Sequence, residues 1–182
     1  MGKSDLTDVT VAIQGLGHVG WYLAERLHDA KAKLIVTDIN TDVVNKAVTQ
    51  FGATAVAPED IYAVQADVFA PCALGAILNQ NTIQQLKVKV VAGAANNQLA
   101  DRQSGDALHQ KGIFYAPDYV VNAGGIINAA MEMLKTDDPS FANDRLAKLP
   151  NTLDQIIALA ESQDIGMHVA ADRYVEAQLN GN

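Results

Sequence analysis

The stretch VAIQGLGHVG, Val11 to Gly20, runs three apolar residues and a glutamine into three glycines spaced G-x-G-x-x-G. Gly15 ends a predicted strand, Gly17 opens a predicted helix, and Gly20 falls one turn inside it. Glycine at the first position permits a tight turn, at the second the close approach of a diphosphate to bare backbone, and at the third close packing of helix on strand. The diphosphate would meet the helix N-terminus, where free N–H groups and the dipole favour negative charge. The same spacing suits a turn that merely packs the first helix, so the glycines alone leave both readings open. The next strand, KLIVTD, ends in Asp38, near the ~20 residues at which such folds place a carboxylate on the adenosine ribose. Asp38 would accept hydrogen bonds from a free diol and repel a 2′-phosphate, and DINTDVVNK offers no base before Lys46, which favours NAD over NADP. Asp38 could instead cap or turn the chain, but Asn40, Thr41 and Asp42 are better placed to cap the following helix.

Length and charge bound the rest. A chain of 182 residues suits one domain with a core of its own and a small appendage, and would be cramped as two. Its formal charge of −8, with Lys and Arg scattered singly, offers no basic stripe to neutralise a phosphate backbone, which argues against nucleic acid. No apolar run approaches the ~20 residues that span a bilayer. The start MGKSDLTD is polar where a secretory signal would be apolar, and Leu6 stands where a myristoylation signal needs Ser or Thr. One cysteine, Cys72, allows no internal disulfide, in keeping with a reducing cytoplasm.

Short apolar runs, VTVAI, KLIVTD, ADVFAP, KVVAG and IFYAPD, alternate with amphipathic stretches at Val19 to Asp29, Asp42 to Phe51, Thr82 to Leu86 and Asp101 to Lys111. Strands buried on both faces and joined by helices imply a doubly wound α/β fold, a mainly parallel Rossmann-type sheet with right-handed crossovers. After Asp118 the pattern is helical: Val121 to Lys135, NTLDQIIALAESQ and VAADRYVEAQL, with Pro139 and Pro150 read as breaks. The expectation is one domain over 1–182, its sheet core at about 6–135 and a helical appendage at about 136–182.

Open parallel sheets bind ligands outside the carboxyl ends of their strands. Three later runs end in APCALG, AGAANNQ and APDYVVNAGG, each breaking from bulky residues into small ones, two of them with asparagine. Small residues admit a flat ligand to the backbone, and asparagine carries donor and acceptor together, as a ribose hydroxyl or carboxamide requires. Asn96 and Asn122 are the candidates, although asparagines after strands equally cap helices and turn chains. Cys72 has no base or cation near it in sequence and reads as a small apolar residue rather than a nucleophile. His18, His28, His109 and His168 show no metal-ligand spacing, and no metal is expected. His18, inside the glycine turn, either brushes a cofactor or points to solvent.

Taken in order, VAIQGLGHVG, LIVTDIN, APCALGA, AGAANNQL and YAPDYVVNAGGIINAA resemble the cofactor-binding half of the Glu/Leu/Phe/Val amino-acid dehydrogenases, in particular their leucine-specific branch. The likeness runs from about Leu6 to the AADR segment. It implies an enzyme that oxidatively deaminates branched-chain L-amino acids with NAD to 2-oxo acids and ammonia, by hydride transfer. It also implies roles: Gly15, Leu16, Gly17, His18, Val19 and Gly20 around the diphosphate, and Asp38 with Ile39 at the adenine ribose. Cys72 and Ala73 would line the middle of the cofactor, Ala94 and Asn96 would meet the nicotinamide ribose, and Asn122 would face both nicotinamide and substrate. Ile126 and Ala129 would touch the substrate side chain, plain helix surface being the alternative. The family more often has Asn at His18 and Gly at Lys31, departures that leave the hydride chemistry untouched.

The family's catalytic lysines lie in a separate N-terminal domain, in a glycine-rich segment with a nearby aspartate. Lys3, Lys31, Lys33, Lys46, Lys87, Lys89, Lys111, Lys135 and Lys148 all read instead as turn or helix-surface charges. A general base must stand within hydrogen-bond reach of the proton it removes. The expectation is therefore a cytoplasmic chain that binds NAD, has no catalytic residue of its own, and turns over only with the missing N-terminal domain, in an enzyme that is a homo-oligomer. The rival is a standalone NAD-binding sensor or assembly module. A complete small oxidoreductase of another type ranks last, for want of a Ser-Tyr-Lys or His-Asp constellation.

Overall fold

The computed structural model describes residues 6–136 and 138–181. Six parallel strands, β1 (Thr10–Gln14), β2 (Lys33–Thr37), β3 (Thr54–Ala55), β4 (Val68–Pro71), β5 (Val90–Val91) and β6 (Phe114–Tyr115), form one sheet in the order β3-β2-β1-β4-β5-β6. Helices α1 (His18–Asp29), α2 (Thr41–Phe51), α3 (Gln80–Gln85) and α4 (Arg102–Gln110) connect them, with a 3-10 turn at Asp60–Tyr62. The doubly wound α/β fold expected from the sequence is thus the fold observed. Strand order reverses between β1 and β4, and that reversal opens a crevice at the carboxyl edge.

β1 is central because Val11, Ala12 and Ile13 are all buried, so both faces of the strand need cover. Val11 and Ile13 join Leu34, Val36, Ala24 and Val44 beneath α1 and α2, while Ala12 joins Phe69, Val91, Leu108 and Tyr115 on the opposite face. β3 escapes the sequence reading because it is two exposed residues on the sheet edge, with no apolar run to mark it. The β1–β2 register pairs Gln14 with Thr37, which brings the glycine turn level with Asp38.

Beyond β6 the chain is helical: α5 (Asp118–Val121), α6 (Gly124–Leu134), α7 (Pro139–Gln163) and α8 (Met167–Asn180). Two expectations need correction. The helix predicted from Val121 to Lys135 is divided at Asn122 and Ala123, so that Asn122 ends one helix before the next begins. Pro150 does not break the chain but lies inside α7. It removes one backbone donor from the ladder, a cost of about 3 kcal/mol in a helix interior. Pro150 and Leu146, whose carbonyl loses that donor, are exposed, so water can take the vacant bond. Among the described residues no helix is long and apolar enough to cross a membrane.

α7 and α8 pack against each other, and α8 also meets α4 and β6. Their core is Ile156, Ala160, Met167, Ala170 and Ala171, joined by Val120 of α5 and Phe114 of β6. His168 is buried where two glycines allow it: a Cβ on Gly105 would stand 2.5 Å from its Nδ1, and one on Gly166 2.7 Å from its Cε1. Its Nε2 lies 3.2 Å from Asp106 Oδ1 without the alignment of a hydrogen bond. Burial pulls the imidazole below its usual pKa, helped by Arg102 and opposed by Asp106 and Asp172. A base with a depressed folded-state pKa binds protons more readily when unfolded, so its contribution is complete above the unfolded value of about 6.5 and is lost as pH falls through the folded one. Unfolding free energy measured at pH 7.5 and 5.5 should therefore fall more steeply for the parent than for His168→Leu; equal slopes would show that this histidine titrates alike in both states.

Candidate functional site

The carboxyl edge is built from the glycine turn outward. Gly15 leaves β1 at φ +97°, a conformation costly for L side chains, and its N–H donates to Thr37 O at 2.8 Å. A Cβ there would stand 2.6 Å from the Cβ of Ala73, and one on Gly20 would overlap the Gly15 carbonyl oxygen. The turn, α1 and the end of β4 therefore touch at distances that side chains forbid. Gly17 is different: nothing lies within 4 Å of its Cβ position. α1 starts there with no side-chain cap, whereas Asn40, Asn79 and Asp101 cap α2, α3 and α4. Its first turn opens on a cavity of about 340 Å³ lined by Leu16, Gly17, His18, Trp21, Tyr22, Val43 and Lys46.

Asp38 faces this turn across the β1–β2 pair. Its Oδ2 accepts from Leu16 N at 2.6 Å and its Oδ1 from Asn40 N at 2.8 Å. A carboxylate offers about four acceptor sites, so these two bonds leave it able to take more. The side chain is only half-buried, and the capping of α2 falls to Asn40, whose Oδ1 accepts from Asp42 N at 3.0 Å. Ile39 beside it is almost fully exposed. His18 is exposed and meets Tyr22 edge to face, 5.0 Å between ring centroids. Val19 is half-exposed and lines a second hollow of about 380 Å³ together with Tyr22, Arg26, Ala92, Ala94 and Val121. Lys46 was not anticipated: its Nζ sits 4.7 Å over the Trp21 ring, a cation in the wall of the Gly17 cavity. The signal was available, since Val43 and Lys46 are one helical turn apart just after Asp38.

Cys72 N donates to Gln14 O at 2.7 Å, extending the β1–β4 pairing. Burial pushes its thiol pKa up, partly opposed by a hydrogen bond with the Ala94 backbone, so the protonated form is favoured and the group is not an activated nucleophile. Among the described residues no three His, Cys, Asp or Glu side chains are grouped to hold a metal.

At the far half of the edge the two candidate asparagines meet. Asn122 Nδ2 donates to Ala94 O at 2.8 Å and to Asn96 Oδ1 at 2.9 Å. The pair opens on a cavity of about 350 Å³ whose wall includes Tyr119, Gly125 and Ile126. Ala129, one turn further along α6, is exposed and is not part of that wall. Two buried residues that the sequence reading passed over hold the asparagines' loops together. Gln98, fully buried, donates through Nε2 to Gly93 O and Ala95 O, both at 2.9 Å. Asp118, 7 % exposed, accepts from Gln98 N at 3.1 Å, Tyr119 N at 3.0 Å and the Tyr115 hydroxyl at 3.3 Å. The Tyr119 hydroxyl donates to Asp172 Oδ1 of α8 at 3.2 Å, and desolvation with that carboxylate raises its pKa.

A doubly wound sheet with a glycine turn and a row of small residues along its carboxyl edge is the architecture that dinucleotide-binding domains share. The family model for Glutamate/Leucine/Phenylalanine/Valine dehydrogenase matches residues 38–176, and the chain belongs to that family. It is 48% identical to a leucine dehydrogenase of Geobacillus stearothermophilus over 98% of this chain and 48% of that protein. It is 51% identical over 72% of its length to a phenylalanine dehydrogenase of Lysinibacillus sphaericus, of which it covers 36%. The crystal structure of L-tryptophan dehydrogenase from Nostoc punctiforme matches with a TM-score of 0.93 at 42% identity, covering 98% of this chain and 55% of that one. The chain spans about half the length of the curated relatives it matches.

The three glycines should respond differently to one methyl group. Gly17→Ala, with φ −64° and open space around it, should cost no more than about 1 kcal/mol, the difference between Gly and Ala at a helix N-cap. Gly20→Ala should cost about 3 kcal/mol or more, because backbone must move to admit the Cβ. Denaturant melts of both variants check this; equal losses would mean that α1 is not seated as described.

Proposed function

We propose that this chain is the dinucleotide-holding half of an NAD-dependent amino-acid dehydrogenase acting on branched-chain substrates such as L-leucine. The observation that carries the reading is the bare, open face of Gly17 at an uncapped helix start, with the Asp38 carboxylate anchored beside it. The residues fit the cofactor by chemistry. The backbone from Gly17 to Gly20 suits a diphosphate, and Lys46 adds a cation to the same cavity. Asp38 keeps acceptors for a ribose diol, and its charge disfavours a 2′-phosphate. Cys72, Ala73 and Ala94 are small enough for a ligand to lie along the edge, and Asn96 with Asn122 supplies amide groups at its far end. NAD, when bound, supplies the hydride acceptor.

What the chain's own residues do is bind, orient and exclude. Ile126 presents an apolar wall beside Asn122, where a substrate side chain would lie, and the leucine dehydrogenases among its relatives favour a branched aliphatic one. The proton-transfer base belongs to the other half. Lys111 is occupied by the carbonyls of Ile83, Gln84 and Leu86 at 2.7–2.9 Å, Lys89 lies 3.5 Å from Asp67, and Lys46 stands over Trp21. The chain by itself holds the cofactor without reacting; with the catalytic half the enzyme assembles as a homo-oligomer in the cytoplasm.

Calorimetric titration tests the reading. NAD should bind at least tenfold more tightly than NADP, and Asp38→Ala should weaken NAD by about tenfold while NADP, relieved of the repulsion, does not weaken, so that the preference is lost. Adding the upstream half of a leucine dehydrogenase should yield leucine-dependent NADH. No NAD binding would sink the proposal, and turnover by the chain alone would sink its second part.

A further inference from the structure

The Asn96–Asn122 pair has a fixed sense. A backbone carbonyl can only accept, so the contact with Ala94 O requires the nitrogen of the Asn122 amide on that side. Its second hydrogen goes to Asn96, which must therefore present Oδ1. Both donors of Asn122, one to Ala94 O and one to Asn96 Oδ1, and an acceptor of Asn96 are then consumed. Both residues line the cavity, and what the two bonds leave over is complementary: Asn122 Oδ1 to accept, and Asn96 Nδ2 to donate. A primary carboxamide offers the matching pair, one N–H₂ and one carbonyl oxygen. A carboxylate offers only acceptors, and one of its oxygens would face Asn122 Oδ1.

That sense depends on where Ala94 O and Asn96 are held, and both belong to a loop with little regular structure. Gln98 grips the loop from inside through the carbonyls of Gly93 and Ala95, on either side of Ala94. Asp118 ties the loop, through Gln98 N, to the first residue of α5. Asn122 N donates to Asp118 O at 2.8 Å, so one turn of helix connects the clamp to the asparagine. We propose that Gln98 and Asp118 are positioning residues that lock the Asn96–Asn122 pair in one donor–acceptor sense, so that this edge selects a dinucleotide ending in a carboxamide over the same dinucleotide ending in a carboxylate. The inference rests on the dinucleotide reading above and adds a selectivity to it.

The experiment compares three ligands by calorimetry: NAD, nicotinic acid adenine dinucleotide, and ADP-ribose, which lacks the ring. The parent should bind NAD about tenfold or more tightly than the carboxylate analogue. Asp118→Asn places an N–H₂ where donors converge, and should bring that ratio below about threefold while ADP-ribose affinity changes less than twofold. Gln98→Met, of similar volume, should do the same, and serves if Asp118→Asn does not fold. A merely structural role would lower all three affinities together, and that result overturns the proposal. So does a parent that binds both dinucleotides equally. Failure of the parent to bind even ADP-ribose would overturn the dinucleotide reading itself.

Discussion

A side chain at position 20 could not coexist with the Gly15 carbonyl, and the closeness this permits sets the direction of α1 against the sheet. The helix rests on the turn, so its first N–H groups arrive at the carboxyl edge, beside the point where strand order reverses. Aligned peptide dipoles place roughly half a positive charge at such an end. A side-chain cap would cover those donors; none is present on α1. The negative group nearby, Asp38, is held by Leu16 N and Asn40 N, one bond to each oxygen, so that it faces the turn without closing it.

This half of the edge was legible because its geometry is local. β1 and β2 are covered on both faces, their apolar runs are unbroken, and the distance from glycines to carboxylate is set by one strand–helix–strand unit. The two-residue strands were legible only as far as their apolar content: Val90–Val91 and Phe114–Tyr115 could be found, but exposed Thr54–Ala55 could not. Pro150 misled because its cost in a helix is real but bearable where the orphaned carbonyl meets water. Gln98 and Asp118 were invisible for another reason. Neither stands out until the loop of Gln98 meets the start of α5 at Asp118, and the bond between them crosses 20 positions of sequence.

The asparagine half of the edge draws on a different part of the chain. α5, which Asn122 caps at its C-terminal end, is fastened from below by Val120 in the core with Ile156, Ala160 and Ala170, and from the side by Tyr119 on Asp172. Asp172 in turn lies 3.3 Å from Arg102 of α4. α8 reaches this position because Gly105 and Gly166 leave room for the His168 ring. The helices after β6 are therefore part of the edge itself: α5 and α6 line the cavity at Asn122 through Tyr119, Gly125 and Ile126, while α7 and α8 support it without lining it.

The two halves meet through few residues, of which Tyr22 lines both the Gly17 cavity and its neighbour, and Ala94 lies between that neighbour and the asparagines. Their supports are separate: the glycine turn depends on contacts made before residue 80, the asparagine pair on helices near the end of the chain. Packing interactions that share no partner combine almost additively. A change in the helical tail should consequently disturb the end of a bound dinucleotide at Asn122 while the grip at Gly17 and Asp38 persists. One ligand spanning the edge would thus be held at two independently stabilised places on a common sheet, separated by the carboxyl ends of β4 and β5.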